Sequence, residues 1–202
     1  MVGKFGLNHS KMLGQRFIFR CPPILLLTLT KRQKNPRFLV MEQDIFFNSS
    51  FGIRLDQSGV LRAIVDFMNE KPEHSYAITL GTDSEVVADK RADFVTAIVV
   101  HRIGNGGRYF WRHTKTPKRF HTLRDRMIEE VLISLDIAKR FLETSQKMHL
   151  PRFDFEIHVD IGENGDTRVM IQELVGMIRA HNFEVKTKPE SYAASSVADR
   201  HV

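Results

Sequence analysis

Cysteine is almost absent from this chain. A single residue, Cys21, in 202 residues excludes an internal disulfide and fits a reducing, cytoplasmic compartment. It also excludes a zinc site built from several thiolates. No stretch approaches the roughly 20 apolar residues that a membrane-spanning helix needs, so no membrane partner is expected. Acid is missing from residues 1–40, which hold eight of the 30 basic residues. The net charge of +6 therefore belongs to the start of the chain, and residues 41–202 carry 22 basic against 24 acidic side chains.

The acid-free start shows no clear helix or strand period, and Pro22-Pro23 interrupts it. Its short apolar run at residues 24–27, behind basic residues, faintly resembles a signal peptide, and its arginines resemble a transit peptide. Translation starting at Met41 is another reading, since organised sequence begins just after it. A basic arm for nucleic acid is a further one. The expected organisation is a basic extension over residues 1–40 and one domain over residues 41–202.

Residues 44–52 read as an irregular or extended start. Val60, Leu61, Ile64, Val65 and Met68 are spaced for a helix over residues 58–69, with Ser58 as N-cap and Lys71-Pro72 as its stop. Three strand patterns follow at 76–82, 94–102 and 108–115, the last two joined by Gly104-Asn-Gly-Gly107 as a hairpin. A long helix is expected over 123–145. Strict alternation over 153–161 sends Phe155, Ile157 and Val159 to one face and Glu156, His158 and Asp160 to the other. A turn over 162–165, a helix over 167–181 with Val169 on its buried side, a short strand over 183–187 and a final helix over 191–201 complete the pattern. Three hairpin-linked strands followed by two crossover units predict an α/β fold. Its mixed sheet has three antiparallel strands, then two parallel ones, and helices on both faces.

Four acids fall at the edges of these elements: Asp83, Glu130, Asp160 and Asp199. That order is similar to the ribonuclease H-like fold. Gly81-Thr-Asp-Ser84, His158-Val-Asp-Ile-Gly162, Lys186-Thr-Lys-Pro189 and Ala193-Ala-Ser-Ser-Val-Ala-Asp-Arg200 together resemble the bacterial YkuK family, whose function is itself only predicted. The resemblance runs from about Phe46 to the C-terminus. It implies a nuclease whose four acids bind Mg²⁺ or Mn²⁺ and hydrolyse phosphodiesters of RNA or DNA. Two cations about 4 Å apart require several converging carboxylates, and hard cations need no Cys or His. The fold also hosts non-catalytic binding modules.

Each acid has a plainer role open to it: Asp83 and Asp160 as turn formers, Asp199 as a frayed terminal residue, and Glu129 in place of Glu130. His158 is an accessory candidate or a core histidine paired with Glu156. Lys186 and Lys188 could meet phosphate or solvent.

Residues 102–126 hold eight basic residues and one acid, Asp125, with Tyr109, Phe110, Trp111 and Phe120 among them. Arg108, Arg112, Lys115, Lys118, Arg119 and Trp111 are the nucleic-acid-binding candidates, because phosphate pairing plus ring stacking is what a single strand requires.

Overall fold

The structure is a computed structural model that describes residues 45–148, 150–162 and 168–202, with the side chains of Ala194 and Ser195 outside the description. The proposed basic extension, the Met41 start, most of the turn at 162–165 and the first residue of the 167–181 helix lie outside the described residues.

Strand β1 (Phe46–Ser49) and strand β2 (Arg54–Asp56) form a hairpin where an irregular or extended start was expected. Their apolar content is too short to show a period, and β1 is recruited by pairing with the basic strand downstream. Helix α1 (Gln57–Asn69) follows directly. Its N-cap is Asp56, not Ser58: the Asp56 carboxylate accepts from Gly59 N at 2.7 Å. Asp56→Ala is expected to lower stability by about 1 kcal/mol, read as a fall of a few degrees in Tm.

Strands β3 (Tyr76–Val86), β4 (Ala92–Arg102) and β5 (Gly107–Lys115) form the antiparallel centre. In the β4–β5 turn Gly104 and Gly106 take φ near +75°. A Cβ on Gly107 would meet Val100 O at 2.6 Å. These requirements explain the glycine run. Helix α2 (Leu123–Ser145) has the expected bounds, with Thr122 capping Asp125 N at 3.0 Å. It crosses to β6 (Asp154–His158), parallel to β3. Helix α3 (Ile171–Arg179), preceded by a 3₁₀ turn at Arg168–Met170, leads to β7 (Glu184–Lys186), parallel to β6. Val169 stands 88% exposed in that turn. It is not on the buried side, because the α-helix begins two residues later.

The sheet order is β2-β1-β5-β4-β3-β6-β7, a seven-stranded mixed sheet of the expected class with two additional strands at one edge. Its main core lies on one face, where Ile64, Met68, Leu135, Ala138, Phe141 and Leu174 cover Ile78, Leu80, Ile98 and Ile157. The C-terminal segment covers the other face. It is a wide π-helical turn (Ala193–Ala198) and a 3₁₀ turn (Asp199–His201), in place of the regular helix expected there. Ala198 packs on Val95 and Ala97, so small residues on both sides allow close approach. Among the described residues no helix is long and apolar enough to cross a membrane.

Candidate active site

Strand β3 continues through Gly81-Thr-Asp-Ser84, where an end was expected, because β4 pairs with it as far as Val86↔Ala92. What ends near Asp83 is the parallel ladder with β6, whose last pair is Gly81↔His158. Asp83 and Asp160 each lie two residues beyond that pair, Asp83 still in β3 and Asp160 just past the end of β6. Beyond His158 the chain stays bonded to the β7 side: Val159 N donates to Lys186 O at 2.9 Å, and Lys188 N to Ile161 O at 2.8 Å. The antiparallel row through Asp83 reads Asp83, Val95, His113, with Asp160 and Lys188 just past the ends of β6 and β7 on the other side.

Alternation in β3 divides its side chains between the faces. Thr82 accepts from Ser134 Oγ at 2.8 Å, and Ser84 Oγ donates to Glu130 Oε1 at 2.5 Å, so both face α2. Thr79 Oγ1 donates to the Tyr192 hydroxyl at 3.2 Å, so Thr79, Gly81 and Asp83 face the C-terminal segment. Asp160 shares that face with His158, which accepts from Ala193 N at 3.2 Å.

The structure thus gathers Asp83, Asp160 and Asp199 on one face. Asp83 is pushed up to about 6, first by burial and then by the charges of Asp160 and Asp199, against a hydrogen bond from the Ser84 backbone. Glu130 approaches the acids from α2, through Ser84. It is 2% exposed and pushed up to about 8, first by burial and also by the charges of Asp83 and Asp160, with Ser84 and Arg126 opposing the shift. Arg126 donates to Ser84 O and, at 2.9 Å, to Ser84 Oγ; its Nη1 is 3.9 Å from Glu130. Glu129 is instead paired with Lys118 at 2.6 Å. Asp160 Oδ2 meets Lys188 Nζ at 3.0 Å.

Two buried carboxylate oxygens, Glu130 Oε2 and Asp160 Oδ1, have no hydrogen-bond partner among the described residues. An all-carboxylate set with an unpartnered oxygen suits a hard cation in chemistry. In the observed side-chain arrangement, however, no three His, Cys, Asp or Glu side chains among the described residues stand ready to hold one ion.

His158 is buried, with Nε2 3.4 Å from Glu156 and its ring edge-on to Tyr192 at 4.8 Å. Desolvation lowers its pKa, so it is a neutral core acceptor for the C-terminal segment.

The basic segment does not form one surface. Arg108 pairs with Glu70 at 2.8 Å and lies over Phe67. Arg112 is half-buried on the helix face, near Asp136 and Arg140. Trp111 is on the other face, stacked on His201 at 4.2 Å and 7°. Lys115, Lys118 and Arg119 are exposed. They follow the end of β5 that pairs beside Asp93 and therefore emerge at the Asp83 end of the sheet.

Sequence reasoning passed over Ser84, Arg126 and Tyr192. The Arg126–Glu130 spacing of four on a helix was a readable signal for one of these contacts.

A family model described as ribonuclease H-like matches residues 59–202. The uncharacterized protein YkuK of Bacillus subtilis (strain 168) is 32% identical over 166 residues, spanning 77% of this chain and 95% of that protein. No solved structure matches significantly. The fold, the match across the sheet and helices, and this relative together place the chain in the YkuK family of ribonuclease H-like proteins.

Proposed function

We propose that this protein is a cytoplasmic, metal-dependent nuclease that hydrolyses phosphodiesters of RNA or DNA with Mg²⁺ or Mn²⁺. The observation that carries the reading is the gathering of Asp83, Asp160 and Asp199 on one face, each acid close enough to raise the pKa of Asp83, in a ribonuclease H-like chain. Asp83 and Asp160 would hold the cation from adjacent strands, and Asp199 would close the set from the C-terminal segment. Glu130, close enough to Asp83 and Asp160 for both charges to act on it, would join the set from α2. A divalent ion supplies an acidified water and positive charge for the phosphoryl oxygens. His158 and Tyr192 seat the segment that carries Asp199. Exposed Lys115 and Arg119 would take phosphates of a strand running to the acids, and Lys118 would join them on leaving its pair with Glu129.

A second reading is a nucleic-acid-binding module without catalysis. It is favoured by the lack of a three-ligand group among the described residues and by the Lys188–Asp160 pair. Labelled single-stranded RNA, single-stranded DNA and an RNA–DNA hybrid, incubated with Mn²⁺, Mg²⁺ or chelator, separate the two. Cleavage of one substrate with metal and none with chelator is expected. Binding without cleavage under every condition would replace the nuclease with the binding module.

A further inference from the structure

We propose that the open edge of β7 and the groove beside it join two copies of this chain in an antiparallel, two-fold dimer with one continuous sheet. The contact is independent of the chemistry at the acids.

Among the described residues β7 ends the sheet order. In its parallel ladder with β6, Lys186 stands beside His158, and its carbonyl accepts from Val159 N at 2.9 Å. Successive residues of a strand turn their backbone groups to alternate sides. Glu184 and Lys186 therefore bond towards β6, and Val185 directs its N–H and C=O to the open edge. Such an edge is a template for another strand. Two copies turned antiparallel about Val185 would exchange both bonds between their Val185 residues.

The charges match the same axis. About Val185, Glu184 of each copy stands opposite Lys186 of the other. Within its own chain Glu184 lies beside Glu156 in the β6 ladder, and like charges so placed repel each other. Lys186 reaches Glu190 at 3.4 Å, but both are well exposed, so that pair is weak and replaceable. An edge guarded against pairing would carry one sign of charge; Glu184-Val-Lys186 is instead complementary to itself. The edge at β2 lacks this freedom, because Asp56 accepts from Gly59 N at 2.7 Å and Arg54 lies over Phe46.

The helix layer continues the match. Helix α3 runs back along β7, with Phe183 N 3.5 Å from Ile178 O at the turn between them. A groove of about 390 Å³ lies between helix and strand, and Gln172, Val175, Gly176 and Arg179 form its helix wall. Their spacing makes one stripe along α3. Val175 is central in α3, as Val185 is in β7. A Cβ on Gly176 would meet nothing within 4 Å, so no contact inside the chain requires a residue that weakens a helix. Close approach of a second α3 would require it. Antiparallel α3 helices meeting at Val175 and Gly176 set the Gln172 amide oxygen against the Arg179 guanidinium of the second copy.

Sedimentation equilibrium of the full chain from ~1 to ~200 µM, a range that spans micromolar dissociation constants, tests this. Wild type is expected to be a dimer in the upper part of that range. Glu184→Lys is expected to raise the dissociation constant about tenfold, as two symmetric pairs turn from attractive to repulsive. Adding Lys186→Glu to it restores opposite charges and is expected to restore the dimer. Gly176→Gln has room within one chain and suits a helix better, so it is expected to fold, by its thermal melt, yet dissociate. A wild-type monomer over the whole range would overturn the dimer and leave the edge to an extended segment of another protein. A dimer that neither Glu184→Lys nor Gly176→Gln weakens would place the contact on another face and overturn this one.

Discussion

Asp83→Asn is expected to lower metal-dependent cleavage by about a thousandfold, because ligand charge at a hydrolytic metal is worth several kcal/mol in the transition state and each 1.36 kcal/mol is tenfold. The substitution keeps the shape of the side chain and removes its charge. Since burial and the charges of Asp160 and Asp199 push Asp83 up to about 6, its ionised form is unfavourable in the folded, metal-free protein. The same variant is therefore expected to melt higher than wild type at pH 7 while losing activity, a trade typical of functional sites. Metal affinity of wild type should fall about tenfold per pH unit below pH 6, as the proton competes with the ion. Initial rates, Mn²⁺ binding and melting curves on both proteins check this. Cleavage by the variant at the wild-type rate would remove Asp83 from the chemistry, and a lowered melting temperature would make it a structural residue.

The second large effect is on stability against pH. Glu130 is held near 8 in the fold, mainly by burial, against 4.5 for the free group. The folded chain keeps this proton up to about pH 8, whereas the unfolded chain releases it near 4.5. Stability from this group is complete below pH 4.5 and is lost as pH rises towards 8. Asp83 adds a smaller loss with the same sign between its free value of 3.8 and about 6. The loss at Glu130 is of the order of a few kcal/mol. Glu130→Gln keeps an acceptor for Ser84 and cannot ionise. It is expected to flatten the decline between pH 6 and 8 and to raise Tm at pH 8 by about 5–10 °C. Melting curves in chelator from pH 5 to 8.5 measure both proteins. Parallel slopes for the two would show that Glu130 already ionises freely in the fold.

Helices and strands with a strong period were readable directly. The α2 bounds and the alternation around Ile157 and His158 follow from local spacing, which needs no partner to be recognised. The β1–β2 hairpin was not readable, because four and three residues are too few to show a period, and pairing with β5 is what orders them. The extension of β3 to Val86 was hidden for a related reason: Gly81-Thr-Asp-Ser84 looks like a turn until β4 supplies its ladder. The basic residues were read as one patch along the chain. The strand pleat sends Arg112 and Trp111 to opposite faces, and Glu70 and Glu129 take Arg108 and Lys118.

By itself, the order of elements determined the fold class, since that depends on which residue types occur and how they are spaced. Only the tertiary structure decided which acids meet. Alternation in β3 sends Asp83 and Ser84 to opposite faces, with Ser84 meeting Glu130, while the parallel ladders of β3, β6 and β7 end two residues short of Asp83, Asp160 and Lys188 and so bring them to one end of the sheet. Those distances arise from hydrogen bonds between strands far apart in the chain, and local spacing carries no record of them.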